Sequence, residues 1–204
     1  SAWTLGYTFD IATDEDGGVH VVFPFFYNMC PDYEGGCGDS DGDGFADSLY
    51  FAYGIAGEGF LHMYNPDPTD DPNNWTASHV SDMSYTYSAD FFGSPIPHLM
   101  ADGDDYWASM QYFFPQISMG PEGTVWFASS AVSDQDSTTE YPTDIDIFMR
   151  KSTDNGVTWL EEENVTNTPY DYGNYYLETG MHLAQKGTAD EIGVFFQIPD
   201  LNHV

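Results

Sequence analysis

Short apolar runs, each cut off by turn residues, set the fold class of this sequence. Val19-His20-Val21-Val22-Phe23, Leu49-Tyr50-Phe51-Ala52-Tyr53, Thr124-Val125-Trp126-Phe127 and Ile192-Gly193-Val194-Phe195-Phe196 are rich in aromatic and β-branched residues, and Gly, Pro, Asp and Asn clusters bound them. No long stretch keeps the 3.6-residue apolar period of a helix, so the expectation is an all-β, antiparallel fold. Apolar residues make up 41% of the 204 and aromatics 17%, which is enough for a packed core, whereas disordered acidic chains lack such aromatics. No linker marks a second domain. Residues 1–204 read as a single all-β domain or as a fragment of a larger one, with a long loop insertion at 28–47.

A faint internal repeat refines the class. Ile11 through Gly17 to Val21 aligns without gaps on Ile117 through Gly123 to Phe127. Each copy is a strand end, an acidic or Gly turn and a strand of alternating pattern, hence a hairpin whose glycine supplies the positive φ of a tight turn. A looser third copy runs from His182-Leu183-Ala184 through Asp190 to Ile192 and Val194. Repeated hairpins at long spacing suggest antiparallel β-propeller blades. His20, between apolar strand neighbours, reads as an ordinary outward-facing residue.

The strongest motif is Ser152-Thr153-Asp154-Asn155-Gly156-Val157-Thr158-Trp159, which follows the strand-like Asp144 to Met149. It resembles the Ser-x-Asp-x-Gly-x-Thr-Trp pattern of the Asp box, found in sialidases and other secreted propellers. The resemblance implies a sialidase-like fold in which the box joins the third and fourth strands of a blade. Ser152 and Asp154 would bond turn amides, Gly156 and Thr158 would complete the turn, and Trp159 would pack beneath it, a structural role away from any active site. The resemblance covers about two to three blades, fewer than a closed propeller needs, so the expectation is an incomplete propeller that is a fragment or is completed by another chain, with a departure from the family's fold as the alternative. The first blade has no recognisable box, its eroded equivalent being read as Gly57-Glu58-Gly59-Phe60 with Trp75, and the third stops soon after its first hairpin.

A second motif is Asp39-Ser40-Asp41-Gly42-Asp43-Gly44-Phe45-Ala46-Asp47. Carboxylates at alternating loop positions, with a glycine for the sharp turn, suit the oxygen-rich, flexible shell of Ca²⁺. The expected ligands are Asp39, Asp41, Asp43, the Phe45 carbonyl and Asp47; a merely solvated acidic loop is the alternative. The loop resembles those of EF-hands, dockerins and thrombospondin type 3 repeats, but Tyr50 stands where an EF-hand has its bidentate Glu, so a static site is implied. Cys30 and Cys37, close together in the same acidic, Gly-rich stretch, read as a local disulfide in an oxidising compartment, with two free thiols as the alternative. Asn74-Trp75-Thr76 and Asn164-Val165-Thr166 are glycosylation sequons, a pattern that also arises by chance. The expected location is extracellular or at the cell surface.

Charge narrows the function classes. Thirty-four Asp and Glu face three Lys and Arg, a net of −31, so compactness requires cations or salt to offset self-repulsion. Nucleic acid is excluded as a partner, since phosphate binding needs clustered basic residues. Anionic membranes are excluded for the same reason, and no apolar run approaches the length of a membrane-spanning helix, so membrane insertion is not expected. Asp-box sialidases hold the substrate carboxylate with three arginines, and this chain has only Arg150. Sialidase chemistry is therefore not expected, although another glycosidase pair of carboxylates stays open. The first expectation is a calcium-dependent structural or adhesive module that self-associates or binds other protein chains. The second is a carbohydrate-binding module, or the propeller portion of a glycoside hydrolase, using its surplus tyrosines to stack on glycans.

Overall fold

The computed structural model describes residues 2–5, 8–28, 51–52, 59–82, 115–134, 144–168 and 178–198. The described residues are all β, without a helix, in three antiparallel sheets. In the first sheet, β3 (Val19–Asn28) is the long central strand. β1 (Ala2–Leu5) and β2 (Asp10–Thr13) share one of its edges, β4 (Phe51–Ala52) and β5 (Gly59–Asn65) the other, and β6 (Thr76–Asp82) pairs with β5. The second sheet is a four-stranded meander of β7 (Gln116–Met119), β8 (Val125–Asp134), β9 (Asp144–Ser152) and β10 (Glu163–Asn164). The third is the hairpin of β11 (Thr179–Leu183) and β12 (Val194–Gln197).

The sequence repeat is a structural repeat in register. Thr13 faces Val19 as Met119 faces Val125, and the turn glycines Gly17 and Gly123 adopt φ of +93° and +75°, a backbone region that disfavours side chains with a Cβ. The match continues one strand further: Val19 faces Asn65 as Val125 faces Ser152. Asn65 and Ser152 are both fully buried and both head the turn to their unit's fourth strand. Asn65 Oδ1 accepts the Asp67 amide at 3.1 Å, and Ser152 Oγ accepts the Asp154 amide at 3.2 Å. Asp67 then accepts the amide and hydroxyl of Thr69, as Asp154 accepts those of Thr158. The first unit's counterpart of the Ser152 turn is therefore the segment from Asn65 to Trp75. Gly59 and Phe60, expected in that role, lie within β5, because the chain carries this strand on as far as Asn65 before it turns.

The sheets stack in chain order. Val22, Phe60 and Val80 of the first meet Ile117, Met119, Val125 and Phe127 of the second, with Ala12 and Trp159 flanking. The Phe60 and Phe127 rings tilt together at 5.0 Å, and each fully buried ring contributes about 2–3 kcal/mol by transfer from water. Alternation along β8 turns Trp126 and Ala128 the other way, onto Met181, Leu183 and Val194 of the third sheet. The first strands of the three units are also joined directly. The Ile117 amide donates to Asp10, Ser118 Oγ to the Ala184 carbonyl, and the Gly187 amide to the Met119 carbonyl.

This stacking corrects one expectation. His20 is fully buried, because the face of β3 that it shares with Val22 is covered by the second sheet. Period-two alternation assigns side chains to faces but does not say that both faces are covered.

Candidate functional site

The turns that end β2 and β7 meet the Lys186–Thr188 segment after β11 around a cleft of about 400 Å³, lined among others by Asp14, Glu15, Gly120, Lys186 and Thr188. Asp14 is the hub of its turn. Its carboxylate accepts the amides of Asp16 and Gly18 at 3.0 and 2.7 Å and the Tyr64 hydroxyl at 3.1 Å, and lies 3.4 Å from His20 Nε2. A hydrogen-bonded series then runs inward. His20 Nδ1 lies 3.0 Å from His62 Nε2, and His62 Nδ1 lies 3.5 Å from Ser78 Oγ. Ser78 in turn donates to the Gly156 carbonyl and accepts from Trp159 Nε1. With Asp14 as acceptor, His20 carries its proton on Nε2 and His62 on Nε2, which gives the Asp14–His20 and His20–His62 contacts one donor and one acceptor each.

The titration of this series follows from burial. His62 is pushed down to about 3, chiefly by burial and further by the neighbouring His20, against a raising effect of the Gly156 carbonyl. Burial also lowers His20, and the Asp14 carboxylate offsets this only in part. For Asp14, burial pushes the carboxyl up, but the Gly18 amide, His20 and Tyr64 together outweigh it and hold it below its ordinary value. Burial and the Asp14 charge keep Tyr64 protonated above its usual range. At neutral pH these groups stand as carboxylate, two neutral imidazoles and a phenol, which hold one another in place.

The Ser152–Trp159 turn follows β9. Ser152 Oγ accepts the Gly156 amide at 2.9 Å and donates to Asp154, and Asp154 accepts from the Thr158 amide and hydroxyl at 2.9 and 2.7 Å. These bonds hold the Asp154 carboxyl low, first through the Thr158 amide. Gly156 has φ of +80°, and a Cβ there would lie 2.2 Å from His62 Cε1. The turn is thus pressed onto the imidazole. Trp159 lies edge-on to both His62 and Phe127.

The two sequons differ. Asn74 is exposed in the β5–β6 turn. Asn164 is half-buried, and its amide nitrogen, the atom a glycan would occupy, donates to the buried Asp146 at 2.6 Å. Thr166 and Thr168 donate to the same carboxylate, so Asp146 ties the segment after β10 back onto β9. Asp39, Asp41, Asp43, Phe45, Asp47, Cys30 and Cys37 lie outside the described residues. Among the described residues no group of three metal-ligating side chains comes together.

Sequence reasoning missed the His20–His62 pair and the Asp14 hub. The available signal was register: the gapless repeat puts His20 where Trp126 stands, a position directed at the next unit. No protein family matches the sequence, and neither does any curated protein or solved structure.

Proposed function

We propose that this chain is a calcium-binding module of β-propeller type with a structural or adhesive role outside the cell or at its surface, and that it is not catalytic. The observation that carries this reading is the in-register repetition of a four-stranded antiparallel unit, with Asn65 and Ser152 at equivalent turn heads and the units stacked face to face in chain order. That is how propeller blades are built and packed. The Ser152–Trp159 turn, between the third and fourth strands of its sheet, supports kinship with Asp-box propellers. A non-catalytic role is supported by the way the polar groups of the described core are used. The His20–His62 series and the Asp146 cluster satisfy one another, and the Arg150 guanidinium donates to the Val80 carbonyl across the first two sheets. Calcium rests on the Asp39–Asp47 spacing and on the net charge of −31.

The test is a thermal melt in excess Ca²⁺ and in EGTA, on the native sequence and on the double variant Asp41→Asn, Asp43→Asn. The expected outcome is a melting temperature several degrees higher with calcium, since a ligand bound only by the folded state stabilises by mass action, and loss of that difference in the variant. Equal melting in both buffers overturns the calcium part of the reading.

A second reading is favoured by the cleft. Its volume of about 400 Å³ falls in the range of small-ligand sites, and Lys186, Glu15 and Thr188 on its walls offer polar groups to sugar hydroxyls. Saturable retention of a monomer on a glycan array, lost in Lys186→Ala, would favour carbohydrate binding.

A further inference from the structure

The two ends of the stack expose faces that are buried elsewhere in the same molecule. The second sheet meets the first through Ile117, Val125, Phe127 and Trp159. At the register positions of Ile117, Val125 and Phe127 the first unit carries Ile11, Val19 and Val21, and this face has no sheet before it among the described residues. Ile11 is 56% exposed, with Phe9 beside β2 at 67%. At the other end, Trp126 directs the second sheet at the third. Its counterpart in the third hairpin is Phe195, which pairs with His182 and is 69% exposed.

We infer that the chain self-associates head to tail, the Ile11–Val19–Val21 face of one copy covering the Phe195 face of a second copy. This rests on the propeller-type reading above. The occupant is a second copy because the chain already makes this junction twice within itself, sheet one on two and sheet two on three, and among the described residues no sheet covers the Ile11 face or the Phe195 face. The contact is heterologous, so two copies close on each other if the rotation between them allows, and grow into a filament otherwise. The face residues Ile11, Val19, Val21 and Phe195 are uncharged, while each copy carries a net −31. Association is therefore stronger at high ionic strength, where repulsion is screened.

The test is sedimentation velocity across about a hundredfold range of concentration, at low and high NaCl and with Ca²⁺, on the native sequence, on Ile11→Glu and on Phe195→Glu. Both sites are exposed, and unchanged melting temperatures serve as the folding control. Concentration-dependent association is expected, with each variant weakening it at least about tenfold. An equimolar mixture of the two variants regains a one-to-one dimer, because one keeps its Phe195 face intact and the other its Ile11 face. A monomer at every concentration and salt overturns the inference, as does a mixture that stays monomeric or a variant that associates like the native chain. A monomer that calcium still stabilises would leave the proposed function standing while this inference falls. An assembly broken by the variants, in a chain that melts identically in Ca²⁺ and in EGTA, would overturn the calcium part of the proposed function and leave this inference standing.

Discussion

Acid should unfold this protein through His62, and the size of the effect follows from its setting. The imidazole is held down to about 3 against an ordinary 6.5. Its folded pKa is lower than its unfolded one, so the unfolded chain binds the extra proton first. Stability is then complete above pH 6.5 and is lost as pH falls towards 3. For this one group the loss is about 2 kcal/mol at pH 5, about 3 kcal/mol at pH 4 and about 5 kcal/mol in all. His20 and Asp14, both shifted down, act in the same direction. The thirty-four carboxylates oppose them, since protonation also relieves repulsion. The informative quantity is therefore a difference between the native chain and His62→Gln, whose amide nitrogen can still reach His20 Nδ1 but does not titrate. Urea unfolding of both from pH 7 to pH 4 should show the native chain losing about 2–3 kcal/mol more than the variant. Parallel pH curves would refute the buried neutral imidazole on which the number rests.

Gly156→Ala should cost about 3 kcal/mol or more, because φ is +80° and the new methyl meets His62 at 2.2 Å. Gly17→Ala should cost only about 1 kcal/mol, since φ is +93° but nothing lies within 4 Å; equal midpoints in urea would contradict the close approach. Arg150→Met should destabilise by about 1–3 kcal/mol, leaving the Val80 carbonyl between the sheets without its guanidinium donor. Unchanged stability would show that this bond does not help to hold the first two sheets together.

The all-β class was legible because turn residues cut the apolar runs every few positions, and the gapless Ile11–Val21 repeat located two hairpins to the residue. The second half of each unit was harder to read. Ser152-x-Asp154 announced its turn through a strict pattern, whereas Asn65-x-Asp67 makes the same first hydrogen bond with an amide oxygen in place of a hydroxyl. The chemistry is shared and the letters are not, which is why the sequence pattern points to Gly57–Phe60 with Trp75 rather than to the turn headed by Asn65. Burial was least legible. Which face of β3 is covered depends on the stacking of sheets far apart in sequence, and that misplaced His20. Asp14 and Asp146 do not stand out in the sequence from the other acids, because sequence does not reveal how many donors will converge on one carboxylate.

The basic residues repay the same attention. The chain has three, and each engages a unit other than its own. Arg150 on β9 donates to the Val80 carbonyl on β6. Lys151 lies over Trp126 at 5.2 Å and pairs at 3.7 Å with Asp190 in the third hairpin. Lys186 of the third unit lies 3.6 Å from Glu15 of the first. Exposed ion pairs of this kind add little to stability singly. Their placement matters more, because stacked sheets sit about 10 Å apart, roughly one screening length in physiological salt. Two acidic sheets at that distance repel unless something positive lies between them. With all three cations engaged at the junctions within the chain, none is left for the faces of Ile11 and Phe195. Any junction between copies must take its positive charge from solution, so salt and calcium should govern assembly more strongly than they govern the fold.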